Sequence, residues 1–313
     1  MKKLSILLLL LLFFQSAGEA LAKTPSEKTL NSSITRAEKY YEGLYVDLGN
    51  NQAVVNEYYS SPSHTYTVRH GVAGGIYYYD YIGDATRSAK LRNFAIAHGY
   101  DVSRDLHSFV WGTTFASKEN IYSIEPYQDC FTNLPTVGNE IPYHSKVCKL
   151  GIGGIGAYVF ATEQDTLLPI IGQLQSYENT GKVNKVVLEN LEHNYNKLGF
   201  GMPICMFSYC ENIASTIRTA EFGDLELRLH KMNYADEVAA ELIKAQNNQG
   251  AVYFSFDKDG NLKDRKSFLY NLIEKILGDK SIYKGFIPTN AETMNDVLAF
   301  LLHYRCVKYH VCK

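Results

Sequence analysis

Residues 1–22 constrain this chain more than any other stretch. Met1-Lys2-Lys3 is a basic start, Leu4 to Phe14 is an unbroken apolar run, and a polar patch from Gln15 to Glu19 leads to the small-x-small end Ala20-Leu21-Ala22. This pattern reads as a secretory signal peptide cleaved after Ala22, so the mature chain is expected to begin at Lys23. The rival reading is a membrane anchor, but a bilayer needs about 20 consecutive apolar residues and this run is well short of that. No later run is longer, so the mature chain is expected to be secreted or periplasmic, with no membrane span.

Export sets the chemistry expected of the cysteines. All six lie beyond the signal, an even number in an oxidising compartment. Cys205 is close to Cys210 and Cys306 to Cys312, which leaves Cys130 with Cys148; three local disulfides are the simplest pairing. The alternative is a metal site, with His303 and His310 beside Cys306 and Cys312. Those spacings are not those of a zinc module, so disulfides are expected and no metal. The formal net charge of −2 gives no electrostatic case for nucleic acid or an anionic membrane. The 24 Tyr against a single Trp point to strands and binding surfaces, where an apolar ring with a polar tip is useful.

Hydrophobic periodicity divides the mature chain near residue 180. From 23 to 180 the apolar runs are short and Tyr-rich. Thr65 to Val68, Ile76 to Ile82, Phe109 to Trp111, Asn120 to Ile124 and Ala157 to Phe160 read as strands. Ser33 to Tyr41 and Asp84 to His98 read as helices. Gly151, Gly153 and Gly156 match a Gly-x-Gly-x-x-Gly spacing, but a strand rather than a helix follows, which argues against a dinucleotide loop. Ser176 to Lys185 is polar and reads as a link. From 181 to 313 the pattern turns helical. Leu225, Leu229, Met232, Ala235, Ala239, Leu242 and Ile243 share one face, with Asp224 as its N-cap and Gly250 closing its polar tail. Phe268 to Ile276 is a further helix, and Thr289 with Glu292 forms a capping box for the last one. Ala251 to Phe256 is a strand, and Asp257-Lys258-Asp259-Gly260-Asn261 is a hairpin turn rather than a calcium loop. The expected class is α+β: a strand-rich candidate catalytic domain at 23–180 and a helix-rich C-terminal region at 181–313, stapled by disulfides.

The chemistry-bearing stretch is Thr65-Tyr66-Thr67-Val68-Arg69-His70-Gly71, read as a strand that delivers Arg and His to a loop. Two further pieces follow in order. Phe109-Val110-Trp111 ends in Gly112-Thr113-Thr114, and Thr162-Glu163-Gln164-Asp165 comes after it. This order resembles the cholera- and pertussis-type ADP-ribosylating toxins, exported enzymes that cleave NAD with an Arg on a first strand, a hydroxyl-rich strand end and a later pair of acids. The resemblance covers roughly residues 65 to 170 and departs from the family where Asp165 replaces the second Glu. It implies that NAD is a substrate and that Arg69 and Thr114 contact the nucleotide. It further implies that Thr113 positions a carboxylate, that Glu163 or Asp165 stabilises the ribosyl cation, and that a protein is a possible target.

Arg69-His70-Gly71 also resembles the nucleophile motif of histidine phosphatases, in which His attacks phosphorus and Arg holds the phosphate oxygens. The chain departs from their secreted branch in having Ala73 where an Arg is expected. A third reading is a helical metal-dependent phosphohydrolase using His70, His98, His230 and Asp236. The non-enzymatic reading is a secreted binding protein that presents its tyrosines to a partner.

Overall fold

The computed structural model describes residues 24–56, 69–99, 147–150, 157–160, 167–206, 209–262 and 291–312. The described part mixes helix and sheet, is mostly helical, and has a few short antiparallel strands. Ser26 caps the first helix, α1 (Glu27–Glu42), by accepting from Thr29 N at 3.2 Å, and the expected face of Ile34, Ala37, Tyr40 and Tyr41 is buried together with Leu30. A hairpin follows, β1 (Tyr45–Gly49) against β2 (Gln52–Val55). Asn50 and Asn51 turn it at φ of 50° and 60°, a left-handed geometry that Asn tolerates.

Next come α2 (Arg69–Ile82) and α3 (Ala85–Ala97). Asp84 caps α3 through its side chain, accepting from Arg87 N at 3.0 Å. β3 (Val147–Leu150) pairs with β4 (Ala157–Phe160), the latter as expected. Two helices follow, α4 (Leu167–Thr180) and α5 (Lys185–Leu198). A three-stranded sheet is ordered β5 (Pro203–Met206), β6 (Tyr209–Ser215), β7 (Ser255–Phe256). Inserted between β6 and β7 are α6 (Thr216–Arg228) and α7 (Met232–Lys244). The turn after β7 is the expected one: Asp257 Oδ1 accepts from the backbone N–H groups of Asp259 and Asn261 at 2.9 and 3.0 Å. The last helix is α8 (Ala291–Tyr309).

The packing centre is α8. Ala291, Met294 and every residue from Val297 to Leu302 are buried, and α1, α2, α6 and α7 pack against the helix. Helices before and after residue 180 therefore share one core, which runs from Leu30 to Tyr304. α2 and α8 run in the same direction, since Gly74 lies against Asn295 at one end and Tyr81 OH donates to Cys312 O (2.7 Å) at the other. Contact at Gly74 is so close that a Cβ there would stand 1.9 Å from Asn295 Nδ2. Among the described residues, no helix is long and apolar enough to cross a membrane.

Four expectations change. Ile76 to Ile82 is helix, not strand: Ile76 and Tyr77, Tyr78, Tyr79 and Tyr81 are all buried, and a helix packed on several sides has no polar stripe. Gly74 and Gly75 let neighbouring elements approach α2, Gly75 against Val55 and Leu91. As a result, the described part of residues 23–180 is carried by α1 to α4 rather than by strands. The apolar face from Leu225 to Ile243 is shared by two helices, broken at 229–231, where His230 adopts φ 59°. Asp224 is not an N-cap but lies inside α6. Finally, Ser176 to Thr180 completes α4 instead of linking two parts.

Candidate functional site

Arg69, expected at the end of a strand, opens α2 instead, with His70 and Gly71 in the same first turn. Thr65 to Val68, Thr113, Thr114, Glu163 and Asp165 lie outside the described residues, as do the glycine run 151–156 and Cys130.

Of the cysteines, Cys306 and Cys312 form a disulfide at the end of α8. His303, a ligand in the alternative metal reading, bonds the Asp224 carboxylate through Nδ1. Cys205 and Cys210 face each other across the β5–β6 register, the placement that local pairing requires, and Cys148 lies in β3. The phosphohydrolase set is not assembled. His98 ends α3 and stacks on Phe94, His230 is an exposed turn residue, and Asp236 is engaged by Tyr304, Lys308 and Thr24. Among the described residues, no group of three or more His, Cys, Asp or Glu is placed to hold a metal ion.

The densest group of interior charges lies on α6, where the sequence pattern promised only apolar stripe. Every residue from Thr216 to Leu227 except Arg218 is buried, including Glu221, Asp224 and Glu226. Asp224 is fully enclosed. Its Oδ1 accepts from His303 Nδ1 on α8 at 2.5 Å, and its Oδ2 accepts from Arg228 Nε at 2.7 Å. Burial pushes this carboxyl up, but Arg228 and His303 outweigh it and hold it below the ordinary range.

Glu226, two residues on, projects from another side of α6, because that spacing turns the helix by about 200°. It too is fully enclosed, and among the described residues neither carboxyl oxygen finds a hydrogen-bond partner. Burial, reinforced by Glu192 of α5 and only partly opposed by Lys231, pushes it up to about 8. Lys231 is bonded to Glu192 instead, and Tyr234 OH accepts from Asn196 Nδ2 at 2.9 Å beside them.

Chemically, these two groups differ from a substrate site. A carboxylate that orients an imidazole is the orienting half of a general-base arrangement, and a carboxyl protonated at neutral pH is a general acid. Both carboxyls are sealed from solvent. Asp224 ties α6 to α8 through His303. Two signals in the sequence mark them. Acids at positions 224 and 226 interrupt an apolar run, and Asp224 and Arg228 have the four-residue spacing of a helical ion pair. Compared with family models, curated proteins and solved structures, the chain finds no match.

Proposed function

We propose that this is an exported enzyme that holds the phosphates of its substrate with Arg69 of α2, and that the substrate is NAD. The observation that carries the proposal is the placement of Arg69 and His70 in α2, directly ahead of a stretch from Gly71 to Tyr79 that is buried in the core. An Arg there offers a bidentate fork suited to a pyrophosphate. Glu163 or Asp165 supplies the negative charge that favours the ribosyl cation, Thr113 holds that carboxylate in place, and Thr114 contacts the nucleotide. The bond between ribose and nicotinamide breaks with its electron pair leaving on nicotinamide. Water, or a nucleophile on a protein target, then takes the ribose carbon and loses a proton.

The test is nicotinamide release from NAD by the purified, oxidised mature chain. The expected result is release that falls about a hundredfold or more in Arg69→Ala and in Glu163→Ala. No release, or release that survives both substitutions, rejects NAD as substrate. A second reading has support in the adjacency of His70 to Arg69 in one helical turn, which suits attack on a phosphomonoester by the imidazole. Phosphate release abolished by His70→Ala, with no nicotinamide release, would select it. The binding-protein reading loses its motive where the tyrosines are buried, as Tyr40, Tyr41, Tyr77, Tyr78, Tyr79, Tyr81, Tyr195 and Tyr304 are.

A further inference from the structure

We infer that Lys231 changes partner when Glu226 gives up its proton, moving from Glu192 of α5 to Glu226 of α6, so that the proton on Glu226 decides whether α5 is tied to the turn between α6 and α7. The inference is independent of the NAD reading and rests on one turn and the side chains around it. Residues 229–231 break the helical path between α6 and α7, and His230 at the centre takes φ 59°. Leu229 N and His230 N close the end of α6 on Leu225 O and Leu227 O, and Lys231 N donates to Glu226 O at 2.9 Å. That last bond fixes Lys231 beside the backbone of the residue whose carboxyl is enclosed.

Charged and titratable groups face Glu226 from three directions: Glu192 from α5, Lys231 from the turn and Tyr234 from α7. Among the described residues, α4 and α8 present none to it. Lys231 Nζ donates to Glu192 Oε1, and Asn196 Nδ2, one turn further along α5, donates to Tyr234 OH at 2.9 Å. Tyr195 of α5 stacks on Phe222 of α6, with ring centroids 5.0 Å apart. Of these ties between α5 and its neighbours, only the ion pair depends on charge. Protonated, Glu226 needs no cation, and Lys231 serves Glu192. Ionised, Glu226 is a fully enclosed carboxylate whose oxygens have no donor among the described residues, whereas Glu192 keeps 17 % of its side chain in water. The enclosed charge is the more costly of the two to leave unpaired. Lys231 carries three donors on a flexible four-carbon stem and can turn from one carboxylate to the other. Burial, reinforced by Glu192 and opposed by Lys231, places the change near pH 8. Burial lowers the Lys231 pKa, but its carboxylate neighbours outweigh this and hold it above its ordinary range, and burial does the same to Tyr234, so neither changes charge there. The tie to α5 is therefore present below that pH and lost above it.

The experiment is a double-mutant cycle on the oxidised mature chain in denaturant, with Glu192→Gln and Lys231→Met made singly and together at about pH 6 and about pH 9. The coupling between the two positions should change the folded-to-unfolded ratio about threefold at the lower pH and vanish at the higher one. A cycle between Glu226→Gln and Lys231→Met should show the reverse order. In a Glu226→Gln background, the Glu192–Lys231 coupling should be the same at both pH values. Amide exchange across residues 185–198, corrected for the intrinsic effect of pH and referred to α8, reads the same event without Lys231→Met. It should be about threefold faster at the higher pH in the parent and unchanged by pH in Glu226→Gln. A Glu192–Lys231 coupling that is equal at both pH values, or that changes equally in Glu226→Gln, overturns the inference. Should Lys231→Met fail to fold, equal protection of α5 at the two pH values in the parent overturns it alone.

Discussion

Two sides of the same helix carry enclosed carboxyls with opposite fates. On the α8 side, Asp224 has a hydrogen-bond donor for each oxygen, His303 and Arg228, and is held below the ordinary range. On the α5 side, Glu226 has none among the described residues and is pushed up to about 8. Both residues are 0 % exposed, so burial cannot be what separates them. Partners do. A cation at hydrogen-bond distance outweighs desolvation at Asp224, whereas the one cation near Glu226 is already committed to Glu192.

The largest expected effect comes from breaking the partnered side. Asp224→Ala takes the carboxylate away from Arg228 and His303, whose side chains are only 7 % and 17 % exposed. Denaturant unfolding should show a loss of about 3–5 kcal/mol, the scale for removing one member of a buried ion group. A loss within experimental error would mean that water replaces the carboxylate.

The unpartnered side should behave in the opposite way. The folded protein holds the Glu226 proton more tightly than the unfolded chain does. Stability should therefore fall as pH rises from about 4.5 and level off above about 8. Glu226→Gln resembles the protonated form and lacks this slope. It should match the parent at pH 4 and exceed it by on the order of 2 kcal/mol at pH 8. Identical pH profiles would remove the contrast between the two sides.

The smallest effect sharpens the comparison. Lys231→Met deletes the cation that partly opposes the rise at Glu226. The pH at which stability levels off should move up by about 0.5–1 unit. The direct loss of the Lys231–Glu192 pair should stay below about 1 kcal/mol, because the Lys231 side chain is 39 % exposed.

Local patterns were legible where one face of an element meets water. The stripe of Ile34, Ala37 and Tyr41, the helix running from Asp84 to His98, the strand Ala157–Phe160 and the Asp257 turn all follow from spacing and side-chain chemistry. Legibility failed where an element is enclosed on several sides. Tyr77 to Tyr79 carry strand propensity, yet helix α2 buries them, because β propensity measures fit to a surface rather than a backbone preference. Asp224 was mistaken for a cap for the same reason: its spacing to Arg228 is visible in the chain, but its partner His303 comes from a helix 79 positions away. Of the candidate site, the Arg69-His70 pair was legible and its element was not. The two residues read alike as the end of a strand or the start of a helix.

α8 follows in the chain every helix it packs against. Its contacts with α1, α2, α6 and α7 are therefore all long-range, and none can form until residues 291–309 have been synthesised. Until then the buried faces of α1 and α2 lack their central neighbour, and the collapsed chain has no single low-energy arrangement to settle into. The Cys306–Cys312 bond at the far end of that helix likewise waits for the last residues of the chain.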